Sequence, residues 1–189
     1  QRLHDRRVEA GIDAALLRSG ELAAQAATLR LQAIERLTAT AQLEGLGLVQ
    51  LCCERLTALP QRLESRRPLL QSGGGVLLST GDLSLRLRRE DQALEREADG
   101  PLRHERGRLV EQLRRNLSAA HQGMDEREAR LLALSTRLEA IEGGLQQLRR
   151  QIDRQWSSEE ASGAALTAAI DPLDGALDQI ERLLEAGSA

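Results

Sequence analysis

The sequence predicts a mainly all-α protein, an elongated bundle of antiparallel coiled-coil helices with a small β-hairpin at 76–88 and a C-terminal helix packed back on its base. Two observations carry this prediction. Apolar residues recur at alternating steps of three and four along most of the chain, which is the period of a helix that buries one face. The chain also has one Trp and no Phe or Tyr, and a core only two or three helices across needs few such wide side chains.

The longest apolar row predicts a long coiled-coil helix over residues 101–156. Its members run from Leu109 to Ile152, and only Arg127 interrupts them. A helix of this length would measure roughly 80 Å, so we expect an elongated molecule. A parallel homodimer is the alternative, since a heptad row fixes neither the orientation nor the number of helices.

A first long arm is predicted over residues 1–67. Residues 3–44 carry an apolar row whose alternate members are small, which favours close approach of a partner helix. Leu16, Leu17 and Leu31 lie off this row, so we expect part of the helix to bury a second face.

Two kinks are expected in this arm. Glycines near 45–47 weaken the helix, and Pro60 removes a backbone donor from it. Pro68 then ends the arm, because the residue before a proline avoids the helical region.

Residues 68–100 are predicted to form the tip of the molecule. A glycine-rich linker occupies 71–75, and three leucines that follow it alternate with polar residues: Leu83, Leu85 and Leu87. This is the period of a half-buried strand, and with a central Thr-Gly turn it predicts a small β-hairpin at 76–88. A short helix at 90–98 follows. The competing interpretation is a loop that runs into a helix beginning at Asp82.

The last predicted element is an acidic helix at 157–189. Ser157 to Glu160 has the pattern of a capping box, and apolar residues from Leu166 onward repeat the steps of three and four. Seven acidic residues and one arginine give this segment a local charge of −6. We expect its apolar face to pack on the base of the two long arms.

All 26 basic residues are arginine. Five of them bracket the predicted β-hairpin and would form a basic tip: Arg66, Arg67, Arg86, Arg88 and Arg89. Such a tip could contact phosphates or an acidic protein surface. No aromatic residue lies nearby to stack on a base, which disfavours single-strand or sequence-specific recognition. The alternative is a solvated tip, where arginine serves solubility and ion pairing.

Trp156 is the second candidate for a binding role. It continues the core row of the long helix, which predicts a packing anchor where this helix meets the C-terminal one. The alternative is an anchor for a partner, since tryptophan is enriched among the residues that carry binding energy.

The sequence predicts no catalytic, cofactor-binding or metal-binding site. The three histidines stand in no metal motif, and without lysine the glycines at 73–75 cannot form a phosphate loop. Cys52 and Cys53 are neighbours, which point about 100° apart on a helix and do not bridge easily. Buried thiols are the simpler interpretation, and vicinal-thiol redox chemistry or soft-metal binding is the alternative. We expect a reducing compartment, the cytoplasm.

These patterns predict a non-enzymatic structural or scaffold module that acts through protein partners or self-association. The longest apolar windows are too short for a membrane span. The chain begins with Gln and no signal segment, so we expect a piece of a larger protein or assembly. The alternative function is a coiled-coil arm of a nucleic-acid-associated complex, in chromosome organisation or repair, that contacts DNA through the arginine tip. A chaperone-like clamp is a third possibility.

Overall fold

The computed structural model describes residues 2–72, 80–157 and 163–185, and every regular element in these ranges is helical. The elements are α1 (Arg2–Arg36), a 3₁₀ turn (Thr40–Gln42), α2 (Leu43–Ser65), α3 (Arg67–Gln71), α4 (Thr80–Arg96), α5 (Pro101–Ser157) and α6 (Gly163–Glu185). The helices pack against one another, which confirms the predicted all-α class.

Four helical segments form a bundle: α1, α2, α6 and the C-terminal half of α5. α1 and α2 are antiparallel neighbours across the 3₁₀ turn, and α6 follows α5 and folds back along it, as predicted. Ion pairs join the two remaining pairs of neighbouring helices, α1 with α5 and α2 with α6. Arg18 of α1 binds Glu142 of α5, and Arg55 of α2 lies 3.1 Å from Asp174 of α6. The order around the bundle is therefore α1, α2, α6, α5.

The core of the bundle is aliphatic. Leucine, isoleucine, valine and alanine side chains of all four segments lie in one continuous buried cluster, together with Cys52 and Cys53 of α2. Burying one leucine or isoleucine stabilises the fold by roughly 1.5–3 kcal/mol. Fully buried members include Ile12, Leu22, Leu56, Leu134, Ile141 and Leu166.

Two glycines let α6 approach its neighbours closely. A Cβ at Gly144 of α5 would lie 2.6 Å from Cδ2 and 2.9 Å from Cγ of Leu173. A Cβ at Gly45 of α2 would lie 2.6 Å from Cδ1 of Leu166. Two consecutive leucines of the α6 row therefore fill the space that these glycines leave open.

The first arm differs from the prediction. Residues 1–67 do not form one rod kinked near 45–47, because the chain reverses between α1 and α2. The buried Gln42 fixes this reversal: its Nε2 donates to the carbonyl of Gln155 at 3.1 Å, and its Oε1 accepts from the backbone of Ala39 at 3.3 Å. Gly45 lies inside the first turn of α2, where close packing rather than a bend requires it.

The N-terminal half of α5 extends from the bundle and pairs with α4 in a two-helix hairpin. Its small core contains Leu83, Leu113 and Ala120, with Leu87, Leu109 and Leu117 packed beside them. Two ion pairs show that the helices are antiparallel: Arg114 with Asp91 at 3.1 Å, and Arg106 with Glu97 at 3.1 Å.

The prediction of a β-hairpin at 76–88 is wrong for residues 80–88, because these residues lie in α4. Residues 76–79 lie outside the described residues. Leu83 and Leu87 stand four apart and share one helix face, which packs on α5. Leu85, between them, is exposed. The alternating leucines therefore lie in a helix, as the competing interpretation predicted. This helix begins at Thr80, two residues before the predicted start at Asp82.

Neighbouring glycines in α5 offer a matched test of the α6 contact. We expect Gly144→Ala to lower the free energy of unfolding by about 1–3 kcal/mol, because the new methyl group overlaps Leu173. Gly143 has no neighbour within 4 Å of a built Cβ, so Gly143→Ala should raise it by up to about 1 kcal/mol through helix propensity. Urea unfolding followed by circular dichroism measures both. Equal stabilisation by the two substitutions would contradict the packing of Leu173 on Gly144.

Candidate interaction site

Arg67 does not take part in a free basic tip. Its guanidinium lies 2.9 Å from Asp13, 3.1 Å from Glu9 and 3.1 Å from Glu64. Hydrogen bonds to Asp13 and Glu64 raise the pKa of Arg67 above its ordinary value. This arginine joins the start of α3 to α1 and α2, so its role is structural.

The remaining predicted arginines lie in two separate parts of the chain. Arg66 follows α2, whereas Arg86, Arg88 and Arg89 lie on α4, and all four are exposed. The β-turn that would have gathered them is not formed by residues 80–88. The sequence of α4 contains four arginines and four acidic residues, so the helix carries no net charge.

Trp156 lies outside the core. It is 65% exposed near the end of α5, and the guanidinium carbon of Arg36 stands 5.0 Å from the centre of its ring, a cation–π contact. The buried position at this level belongs to Gln155. Trp156 therefore does not share the core of Leu166, and its exposed ring remains a candidate anchor for a partner.

Arg127, which interrupts the apolar row, lies where α5 passes from the hairpin into the bundle. Its Nη1 is 3.7 Å from Asp5 of α1 and donates to the carbonyl of Gln71 at 3.3 Å. One turn later, Arg130 donates to the carbonyls of Leu69 at 2.8 Å and Ser72 at 3.2 Å. Together these arginines fix the end of α3 to α5, and the interruption of the apolar row at Arg127 was the sequence signal of this role.

His4 belongs to the same junction. Its Nδ1 lies 3.1 Å from an oxygen of Glu128, and its side chain is mostly buried. Within the described ranges, its Nε2 has no hydrogen-bond partner. No group of three or more His, Cys, Asp or Glu residues in those ranges is arranged to hold a metal ion.

Both cysteines are free and buried in the bundle core. Burial raises the pKa of the Cys52 thiol to about 12, with a smaller contribution from the negative charge of Asp174. Burial also raises the pKa of Cys53 to about 11, partly offset by the positive charge of Arg30. Thiolates are the reactive and metal-binding form, so these environments disfavour both kinds of chemistry.

The thiol environments predict slow modification of the folded protein. At about pH 8, raised pKa values reduce the thiolate fraction by roughly two to three orders of magnitude, and burial reduces access further. We expect a disulfide reagent to label both cysteines at least about a hundredfold more slowly in the folded than in the denatured chain. Thr57→Cys places a thiol at an exposed position of α2 as a control that should react at once. Equal rates for all three thiols would contradict the buried placement.

Exposed leucines lie on both the hairpin and α1. On the hairpin, Leu85 and Leu102 are each more than half exposed. On α1, three leucines stand fourteen residues apart on the outer face: Leu3, Leu17 and Leu31. A groove of about 500 Å³ between α1 and α5 contains the exposed Leu132 and the small residues Gly11 and Ala14. These surfaces can bind apolar side chains, and charged residues such as Arg7, Glu128 and Glu139 also line the groove.

No family of known proteins matches the chain, and neither a similar curated protein nor a similar solved structure is found. Among the described residues, none of the helices combines the length and apolar character that crossing a lipid bilayer requires.

Proposed function

We propose that this chain is a non-enzymatic scaffold module whose four-helix bundle supports a projecting hairpin that binds a protein partner. One observation carries the proposal: α5 runs without interruption through both parts. A continuous helix holds the hairpin at a fixed direction from the bundle, as a spacer or platform requires. Cytoplasmic location is part of this proposal, supported by two free thiols with no disulfide between them.

The hairpin is the part of the molecule most suited to a partner. Two helices bury only one seam, so most of both surfaces faces solvent. Leu85 of α4 and Leu102 of α5 expose apolar surface among charged neighbours. Apolar centres surrounded by polar residues are the usual anatomy of a protein interface.

Recovery of partners from the source cells after mild crosslinking tests this proposal. We expect a defined set of proteins to copurify with the wild-type chain and to fall at least about tenfold with the double variant Leu85→Glu, Leu102→Glu, because buried carboxylates would destabilise the interface. Leu51→Glu replaces an equally exposed leucine on α2 and should leave recovery unchanged. Absence of any protein above background with the wild-type chain would contradict the proposal, as would equal recovery with both variants.

A nucleic-acid-associated arm is the second candidate. Exposed arginines on the hairpin favour it: Arg86, Arg88 and Arg89. Balancing acids on the same helix and the engagement of Arg67 with carboxylates weigh against it.

Duplex DNA binding separates the two candidates. The scaffold proposal predicts no measurable binding at about 50 mM salt. The nucleic-acid candidate predicts binding that weakens steeply with salt, since each neutralised phosphate releases counterions. It also predicts loss of binding when Arg86, Arg88 and Arg89 are replaced by Gln, with Arg149→Gln on the bundle as the control. Salt-sensitive binding that only the triple substitution removes would replace the scaffold proposal.

A further inference from the structure

The outer face of α1 carries an apolar row that the fold leaves uncovered. Five residues stand at seven-residue steps opposite the buried row of this helix: Leu3, Ala10, Leu17, Ala24 and Leu31. All five are exposed, Leu17 by 69% and Leu31 by 64%. A surface helix of a monomeric bundle normally turns a polar face outward. Residues seven apart drift by only about 20° around a helix, so these five form a narrow stripe along which a second helix can lie.

We propose that α1 binds the α1 helix of a second copy of this chain, antiparallel, through this row. The inference goes beyond the scaffold function proposed above, since it names a second surface, separate from the hairpin, and the partner that binds it. The resulting dimer would place the two bundles side by side about a twofold axis, with the same surface used by both chains.

The sizes of the side chains favour the antiparallel orientation. With the twofold axis between Gly20 and Glu21, Leu17 faces the partner's Ala24, and Leu31 faces the partner's Ala10. Leu17 and Leu31 each then meet an alanine, so the separation of the helices stays constant between residues 10 and 31. A parallel pair would align each residue with its own copy. Layers of two leucines would then alternate with layers of two alanines, which no single separation fits.

The charges favour the same orientation and register. Arg6 faces the partner's Glu35 in this arrangement, and symmetry repeats the pair. Within residues 2–72, 80–157 and 163–185, neither Arg6 nor Glu35 forms an ion pair in the single chain. A parallel pair would instead bring two copies of Arg6 together at one end and two copies of Glu35 at the other, and like charges repel.

The neighbouring groove enlarges the apolar surface beyond α1. Ala14, which faces the partner's Ala27 in the same register, lines the groove between α1 and α5 with Leu132 of α5. Leu132 is exposed in the single chain. A partner helix placed over Ala14 lies alongside it, so residues of two helices contribute to the contact.

Sedimentation equilibrium of the 189-residue chain over a wide range of concentration tests the contact. We expect the wild-type chain to dimerise reversibly, and the double variant Leu17→Glu, Leu31→Glu to raise the dissociation constant at least about thirtyfold, because each lost leucine counts twice in a symmetric dimer. Leu51→Glu, at a position on α2 that is 61% exposed, should dimerise like the wild type. Since all three leucines are exposed, circular dichroism should show the same helix content and midpoint for every variant.

Charge exchange tests the orientation. Arg6→Glu and Glu35→Arg should each raise the dissociation constant by about three- to tenfold, and the double exchange should restore it, because the pairs reform with reversed sign. In a parallel dimer each residue faces its own copy, so the double exchange would restore nothing.

The possible results separate cleanly. A wild-type chain that stays monomeric up to about 100 µM overturns the inference, and so does a dimer that Leu17→Glu, Leu31→Glu leaves intact or that Leu51→Glu disrupts equally. The wild-type chain could also be monomeric and lose its copurifying proteins in the Leu17→Glu, Leu31→Glu variant. That result would show that a different protein binds the apolar row of α1, and it would overturn the proposal that a second copy binds there. None of these results contradicts the scaffold function, which the Leu85→Glu, Leu102→Glu experiment decides independently.

Discussion

The fold depends on the need to cover one apolar row along the whole of α5. No single partner is long enough, so α4 covers the N-terminal half and α1 and α6 cover the C-terminal half. The change of partner leaves backbone carbonyls at the end of α3 beside α5, and Arg127 and Arg130 bind them. An arginine that breaks the heptad row therefore marks the joint between two units of packing, and its long side chain satisfies polar groups that a leucine could not.

Heptad periodicity predicted the helical class and the docking of the last helix, because an apolar row must be buried whatever partner buries it. It could not predict partners. The reversal before α2 depends on Gln42, whose hydrogen bond to Gln155 joins residues far apart in sequence. Alternating leucines near residue 85 fit a strand and a helix equally well, and contact with α5 decides between them. The prediction that Trp156 continues the core row was wrong by one position. The buried residue that follows Ile152 is Gln155, three residues later, and Trp156 is exposed.

The candidate binding residues, like the fold, were predictable only where tertiary contacts did not decide their role. The prediction grouped arginines by their distance along the chain, whereas their roles depend on the carboxylates that the fold places beside them. Arg67 meets Glu9 and Asp13 only because α1 and α2 are antiparallel. The prediction that off-row leucines bury a second face of α1 is wrong for the single chain, since Leu17 and Leu31 are exposed and only Leu16 packs against the core. Exposure of an apolar row is a property that only the packed structure could establish.

Because α5 is continuous, the number of its residues between the hairpin and the bundle determines the direction in which the hairpin projects. Ala120 is the last core residue of the hairpin, and contacts of α5 with the bundle begin at Arg127. Between these two residues, α5 is the only helical element common to both parts in the described residues. One residue inserted there would rotate the hairpin by about 100° around the helix axis and advance it by about 1.5 Å. A change of seven residues would nearly restore the original bearing. The number of residues in this stretch thus determines the angle between the hairpin and the bundle. Insertions or deletions within it should preserve that angle only when they add or remove a nearly whole number of helical turns.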